Sequence, residues 1–552
     1  MKELVQTGIP GLDEIFLGGI RQGNILLVEG APGAGKTTLG LEFIYRGVTE
    51  RGDKGVIVTF ELTPEKLLRD AKAFGWNMSK LQKEGKLQII YTSPQVLLQE
   101  LHSHDGLLLQ QIRAMKAKRL LLDGLSPLQL FGENFNGRPF RDSMHLLVGT
   151  LQREKITSIL TREAPESHEA RACEMSHERF ICDTVIALGT EFHGRNQTRS
   201  ITITKSRGQD FISGRHTLRI ENGQGVRVYQ RAQSRVREVA TQPTSRKRSS
   251  VGAAEVDQML GEGVLDGSVT LVVGVSGTGK TVMGVQFLTS GAKEGKPGLL
   301  ITLDEHPAQI VRNASGLGLP LERLVEKKKI HLCYESPQEL ELDVHFHRIA
   351  RLVDEYKIER VLIDSLAAYA GTGERRREFH DFIYALTTFF KDRLVTAFMN
   401  YESPELLGVS QISEEIKAST IVDNIILLNY VEFSNRLRRA ITVPKARGSA
   451  PSRVTREFRI SKNGIQLEPA ISEDKVPQLP FSSYYGILAR SPARRSPVID
   501  EQVMTGEPID DGAKLSHKED VALDDAGRQE GEAKPRRRKK GRSTGRRRAV
   551  AS

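Results

Sequence analysis

Two octapeptides, Gly30-Ala31-Pro32-Gly33-Ala34-Gly35-Lys36-Thr37 and Gly274-Val275-Ser276-Gly277-Thr278-Gly279-Lys280-Thr281, have residue types suited to holding phosphate. Both fit G-x-x-x-x-G-K-[ST], the spacing of a phosphate-cradling loop. Glycines let consecutive backbone N–H groups turn inward without a Cβ clash, and the helix that follows offers unpaired donors and the positive end of its dipole. The expected nucleotide-binding residues are therefore Gly30, Gly33, Ala34, Gly35, Lys36, Thr37 and Thr38, and in the second loop Gly274, Gly277, Thr278, Gly279, Lys280, Thr281 and Val282. Lys36 and Lys280 are expected to reach the β- and γ-phosphates, with the Thr37 and Thr281 hydroxyls on Mg²⁺.

Phosphoryl chemistry also needs a carboxylate at the metal. Leu120-Leu121-Leu122-Asp123 and Val361-Leu362-Ile363-Asp364 each supply an apolar run ending in aspartate, so Asp123 and Asp364 are the expected metal carboxylates. An attacking water or hydroxyl needs a base to orient and deprotonate it. Val56-Ile57-Val58-Thr59-Phe60 leads into Glu61, and Leu299-Leu300-Ile301-Thr302-Leu303 leads into Asp304-Glu305. In an α/β sheet the strand ends beside the phosphate loop face the ligand, which places these acids as base candidates. The second stretch has an acid pair where the first has Glu61 followed by Leu62.

The elements that position these residues repeat as well. Each loop follows a β-type run (Ile25-Leu26-Leu27-Val28; Val269-Thr270-Leu271-Val272-Val273) and opens a helical pattern (Leu39, Phe43, Ile44; Met283, Phe287, Leu288). Shifting the chain against itself by about 240 to 244 positions pairs Gly8 with Gly252, Asp13 with Asp257, Asp123 with Asp364 and Asp183 with Asp423. The same shift pairs Lys205-Ser206-Arg207-Gly208 with Lys445-Ala446-Arg447-Gly448. The chain is an internal duplication. Alternating β-branched strands and helical patterns predict an α/β fold, a mostly parallel sheet covered by helices, in each copy. The expected divisions are 1–231, an exposed connector 232–250, 251–470, and a tail 471–552 whose composition cannot bury a core.

Bulk properties agree. Of 552 residues 38% are hydrophobic and 27% charged, and no apolar run reaches the ~20 residues a membrane span needs. Cys173, Cys182 and Cys333 have no metal-ligand spacing and read as spectator thiols suited to a reducing cytoplasm. Of the net charge of +11, ten positive charges lie in residues 534–548, so the body is nearly neutral.

These residues resemble the KaiC family, the double-domain RecA-like ATPases and autokinases of the cyanobacterial circadian clock. The resemblance covers about 1–470 and rests on Thr7-Gly8-Ile9-Pro10-Gly11-Leu12-Asp13, the phosphate loops, Thr59-Phe60-Glu61, Ala73-Phe74-Gly75-Trp76 and Lys445-Ala446-Arg447-Gly448. It implies two tandem RecA-like P-loop NTPase domains, ATP and Mg²⁺ as cofactors, and a hexameric double ring with ATP between subunits. Lys205 and Arg207, or Lys445 and Arg447, would then reach a neighbour's γ-phosphate, where such cations stabilise the transferring group. In that family the first domain mainly hydrolyses ATP and the second phosphorylates a Ser-Thr pair. Lys417-Ala418-Ser419-Thr420-Ile421-Val422-Asp423 matches that segment and puts Ser419 and Thr420 at the acceptor positions; the first copy has Arg179-Phe180 there. The resemblance further implies that Asp304, with Glu305 beside it, is the base for the acceptor hydroxyl, and that Glu61 orients water. Clock or signalling proteins are the implied partners.

Two other functions share this core. A DNA-handling motor is suggested by Lys534-Pro535-Arg536-Arg537-Arg538-Lys539-Lys540, because such clusters release counterions from nucleic acid. The near-neutral body and 6% aromatic content argue against stacking platforms for single strands, so nucleic acid is expected only at the tail. A hub that binds ATP only to assemble is opposed by the intact loops and carboxylates in both copies.

Overall fold

The structure, a computed structural model, describes residues 4–101, 106–132, 140–164, 177–193, 196–232, 243–370, 376–402, 421–433, 436–452 and 454–469. The tail from 470 onward, Cys173, Ser419 and Thr420 lie outside these residues.

The first copy folds around a nine-stranded sheet ordered Gly225–Tyr229, Arg215–Glu221, Asn196–Ser206, Thr184–His193, Ile25–Gly30, Thr157–Glu163, Arg119–Asp123, Gly55–Thr59, Leu87–Tyr91. The second copy repeats that order with Gly464–Leu467, Arg456–Ser461, Arg436–Ala446, Asn424–Phe433, Val269–Gly274, Thr396–Glu402, Arg360–Asp364, Gly298–Thr302, Ile330–Tyr334. Strands on and beside the phosphate-loop strand pair parallel, whereas the last three at one edge form an antiparallel meander. This is the doubled, mostly parallel α/β architecture expected from the alternating patterns, extended by hairpins.

Period-two alternation divides each central strand between two cores. Leu26 and Val28 pack with Leu39 and Phe43 on one face, and Ile25 and Leu27 pack with Leu147 and Leu151 on the other. All four strand residues are essentially fully buried, which at about 2 kcal/mol each makes this strand a stiff base for the loop it feeds. Gly35 and Gly279 turn the chain into the helices Lys36–Arg51 and Lys280–Lys293 at φ of 102° and 111°, a left-handed conformation that a side chain would strain.

Several residues paired by the repeat tie the fold together. Asp13 accepts from the Thr7 and Gly8 N–H groups, and Asp257 from Val251 N–H and the Ser250 hydroxyl. Asp183 and Asp423 accept from Ile25 and Val269 N–H at the start of the loop strands. The fully buried Arg119 donates to the Gln6 and Phe43 carbonyls and to Asp53, and Arg360 to the Ser250 and Phe287 carbonyls and to Glu294. Burial depresses both guanidinium pKa values, so the anion and carbonyls around each are what hold its charge there.

Arg248–Ser249 form a short strand paired with Val264–Leu265. The copies meet at the helix Leu342–Tyr356: Asp343 accepts from Ala232 N–H at 2.8 Å and from the Thr217 hydroxyl at 2.9 Å, and Arg219 donates to Glu341. No helix among the described residues is long and apolar enough to cross a membrane.

Candidate nucleotide sites

The first copy's loop joins the buried strand Ile25–Gly30 to the helix Lys36–Arg51, so Gly30, Gly33, Ala34, Gly35, Lys36, Thr37 and Thr38 lie at the strand's carboxyl end. Lys36 Nζ donates to the Gly30 and Ala31 carbonyls at 2.9 and 3.0 Å, which folds the ammonium over the cradle. The Thr37 hydroxyl donates to Asp123, 3.0 and 3.1 Å from its two carboxylate oxygens. The Thr161 hydroxyl adds a 2.6 Å bond to Asp123 from the neighbouring strand. A hydroxyl and a carboxylate meeting at the loop form an oxygen donor set that suits Mg²⁺. Glu61 is exposed just past the strand Gly55–Thr59, the strand paired with the one that ends in Asp123.

The second site has the same plan with different fittings. Lys280 Nζ donates to the Gly274 and Val275 carbonyls at 2.9 and 3.0 Å. Burial lowers its pKa, partly offset by the Glu402 and Asp364 carboxylates. Gly277, Thr278, Gly279, Thr281 and Val282 complete the loop and the first turn of its helix. Asp364 takes its strand-side hydrogen bond from Asn400 Nδ2 at 3.0 Å, where the first copy uses Thr161. Asp304 is held in turn: the buried Ser365 hydroxyl donates to it at 3.0 Å. The first copy has Gly124 at that position and so lacks the clamp. Glu305 accepts from Asn313, and its carboxyl is pushed above the usual range by burial and then by the Asp364 charge.

The cations expected to act on a neighbour lie against carbonyls and a carboxylate of their own chain. Lys205 Nζ donates to the Arg179, Phe180 and Cys182 carbonyls, and Arg207 to the Phe180 carbonyl. Lys445 donates to the Val422 carbonyl, and Arg447 lies 3.6 Å from Asp423. Burial lowers the pKa of both lysines, helped by the adjacent arginine. In each copy these strand-end cations grip the segment that carries position 179 or follows position 420.

Four participants escaped the sequence reading: Thr161, Asn400, Ser365 and Tyr430, whose hydroxyl donates to the Gly277 carbonyl at 2.8 Å. Thr161 and Asn400 were findable, since the internal repeat pairs them as polar residues within apolar strands. Ser365 is identifiable only when the register places it beside Asp304, 61 residues away.

Comparison with known proteins agrees with this geometry. The KaiC ATPase family matches residues 5–233 and again 250–472. The circadian clock oscillator protein KaiC of Thermostichus vulcanus is 32% identical over 504 residues, covering 90% of this chain and 93% of the relative. The circadian clock protein KaiC3 of Synechocystis is 32% identical over 497 residues, 89% of this chain and 94% of the relative. The KaiC of Acaryochloris marina is 31% identical over 518 residues, 93% and 95%. With two phosphate loops, each facing a strand-end aspartate and each inside a matched region, this chain belongs to the KaiC family of ATPases.

Proposed function

We propose that this chain is an ATP-hydrolysing and self-phosphorylating switch, in which the first copy mainly hydrolyses ATP and the second transfers phosphate to Ser419 and Thr420. The observation that carries this reading is the Ser365–Asp304 hydrogen bond, made in the second copy alone. A clamped carboxylate beside the phosphate loop suits deprotonation of a side-chain hydroxyl, which must be met in one orientation. The less constrained Glu61 suits water. The acceptor oxygen would attack the γ-phosphorus, the bond from that phosphorus to the β,γ-bridging oxygen would break with its electron pair leaving on ADP, and the hydroxyl proton would pass to Asp304. Thr37 with Asp123, and Thr281 with Asp364, would hold Mg²⁺, whose charge neutralises the phosphate oxygens.

Position 179 supports the division of labour. Arg179 occupies the place corresponding to Ser419 and is tied to the buried Glu29, so no hydroxyl stands there. We also propose a homo-oligomeric double ring of six subunits, in which Lys205, Arg207, Lys445 and Arg447 would turn from their own carbonyls to a neighbour's γ-phosphate. The relatives' name suggests a timing or signalling output. Phosphate-affinity electrophoresis after incubation with Mg-ATP tests the kinase assignment. A slowed band lost in Ser419→Ala/Thr420→Ala supports it; no slowed band, or one unchanged by the substitutions, ends it.

A further inference from the structure

The helix Leu342–Tyr356 faces two ways. Through Asp343 and His347 it holds the first copy, the latter by a 3.1 Å contact from Nε2 to the Gln230 carbonyl. Between them His345 points into the second copy and is fully buried. Its Nε2 lies 2.9 Å from the Tyr369 hydroxyl and its Nδ1 3.1 Å from Glu335, which also accepts from Arg348 one turn along the helix. A neutral imidazole satisfies both neighbours by donating from Nδ1 to the carboxylate and accepting the Tyr369 O–H at Nε2.

Tyr369 lies on the short helix Leu366–Ala370, one turn beyond Ser365, and Ser365 donates to Asp304. Glu335 has a second route to the same place: its N–H donates to the Thr302 carbonyl, and the Thr302 hydroxyl donates to the Glu305 carbonyl at 2.6 Å. The first copy keeps this backbone route, with Thr92 N–H on the Thr59 carbonyl and the Thr59 hydroxyl on the Leu62 carbonyl, but lacks the side-chain parts, having Thr92, Gly124 and Leu128 at the positions of Glu335, Ser365 and Tyr369. A buried polar cluster is costly unless fully bonded, and this one joins the helix at the seam of the two copies to the short helix that follows Ser365.

The geometry points to His345 and Tyr369 as a positioning pair through which the contact between the two copies sets the aim of the Asp304 carboxylate, an inference that rests on the reading of Asp304 as the base. Docking of Asp343 on Thr217 and Ala232 fixes the helix, His345 fixes the Tyr369 hydroxyl, and the short helix fixes Ser365. The first copy thereby controls phosphoryl transfer in the second without touching its nucleotide.

The test uses the full-length chain carrying Glu61→Gln, so that second-copy turnover is read, with phosphorylation followed on phosphate-affinity gels. Tyr369→Phe and His345→Gln are expected to lower kcat roughly tenfold while KM for ATP stays unchanged, the signature of a misaimed group. Asp343→Ala is expected to lose as much, and its double variant with Tyr369→Phe no more than either alone. Should Tyr369→Phe fold poorly, Ser365→Ala tests the other end of the same route. An unaltered kcat in Tyr369→Phe, while Asp304→Asn abolishes turnover, overturns the positioning role and keeps the base; so do losses that multiply in the double variant. Full turnover in Asp304→Asn removes the base assignment and the positioning role with it.

Discussion

Arg179 Nε lies 3.0 Å from Oε1 of Glu29, a carboxylate with no exposed surface at the end of the first copy's loop strand. Arg162, itself buried, holds the same carboxylate from the adjacent strand at 2.9 Å. The position that carries the candidate acceptor in the second copy is thus filled in the first by a half-buried cation anchored on a fully buried carboxylate.

Removing the shared anion should cost more than removing one cation. Glu29→Gln takes away the charge to which the buried Arg162 is bonded and is expected to destabilise the first copy by about 3–5 kcal/mol. Arg179→Ala leaves Arg162 on Glu29 and is expected to cost about 2 kcal/mol. Urea unfolding of both variants checks the order; equal losses would show that Arg162 does not depend on Glu29.

The two loops should separate by product. Lys36→Ala is expected to lower phosphate release on the order of 10²-fold at the first site and leave the phosphorylated band, whereas Lys280→Ala should remove the band. Thr37→Ala and Asp123→Asn are expected to follow Lys36→Ala, because the three groups converge on one cradle. Phosphate release and gel shift measured side by side decide it. Identical profiles for Lys36→Ala and Lys280→Ala would remove the division of labour.

What could be read in the sequence was local. A phosphate loop and a strand ending in aspartate are contiguous in the chain, so Lys36, Thr37 and Asp123 were identifiable before any fold was known, and duplication repeated the signal at Lys280, Thr281 and Asp364. Residues that act by juxtaposition gave no such signal. Ser365 reaches Asp304, and His345 reaches Tyr369, only because parallel register brings strand ends and helix turns together. Arg119 and Arg360, each just ahead of the apolar run that ends in aspartate, are among the largest fully buried side chains, and no local pattern marks them as such. The antiparallel meander also went unread, although Arg215–Glu221 alternates between buried and half-exposed residues where the central strands are buried throughout.

Both described cysteines should be chemically quiet. Burial pushes the Cys182 thiol up to about 12 and Cys333 up to about 11, so almost no thiolate is present near neutral pH. Alkylation of the native protein at pH 8 followed by peptide mass spectrometry is expected to leave both unmodified, with full labelling in urea. Rapid native labelling of Cys333 would show that the strand Ile330–Tyr334 opens readily.

Asp343 gives the seam between the copies a pH dependence of predictable sign. Burial raises its carboxyl to about 6 from an ordinary 3.8, against the Ala232 N–H, the Thr217 hydroxyl and the Arg215 charge, which lower it, and with Glu341, which raises it. A carboxyl whose folded pKa is raised binds its proton more tightly when folded. Its contribution is therefore fully present below pH 4 and is lost as pH rises to about 6, by roughly 3 kcal/mol at most. Asp343→Asn cannot ionise, so its stability relative to the parent should climb across that interval and level off above it. Urea midpoints of both proteins at several pH values between 4 and 7 measure the difference. A flat difference, or one that shrinks as pH rises, would mean that the seam admits enough water to solvate the carboxylate.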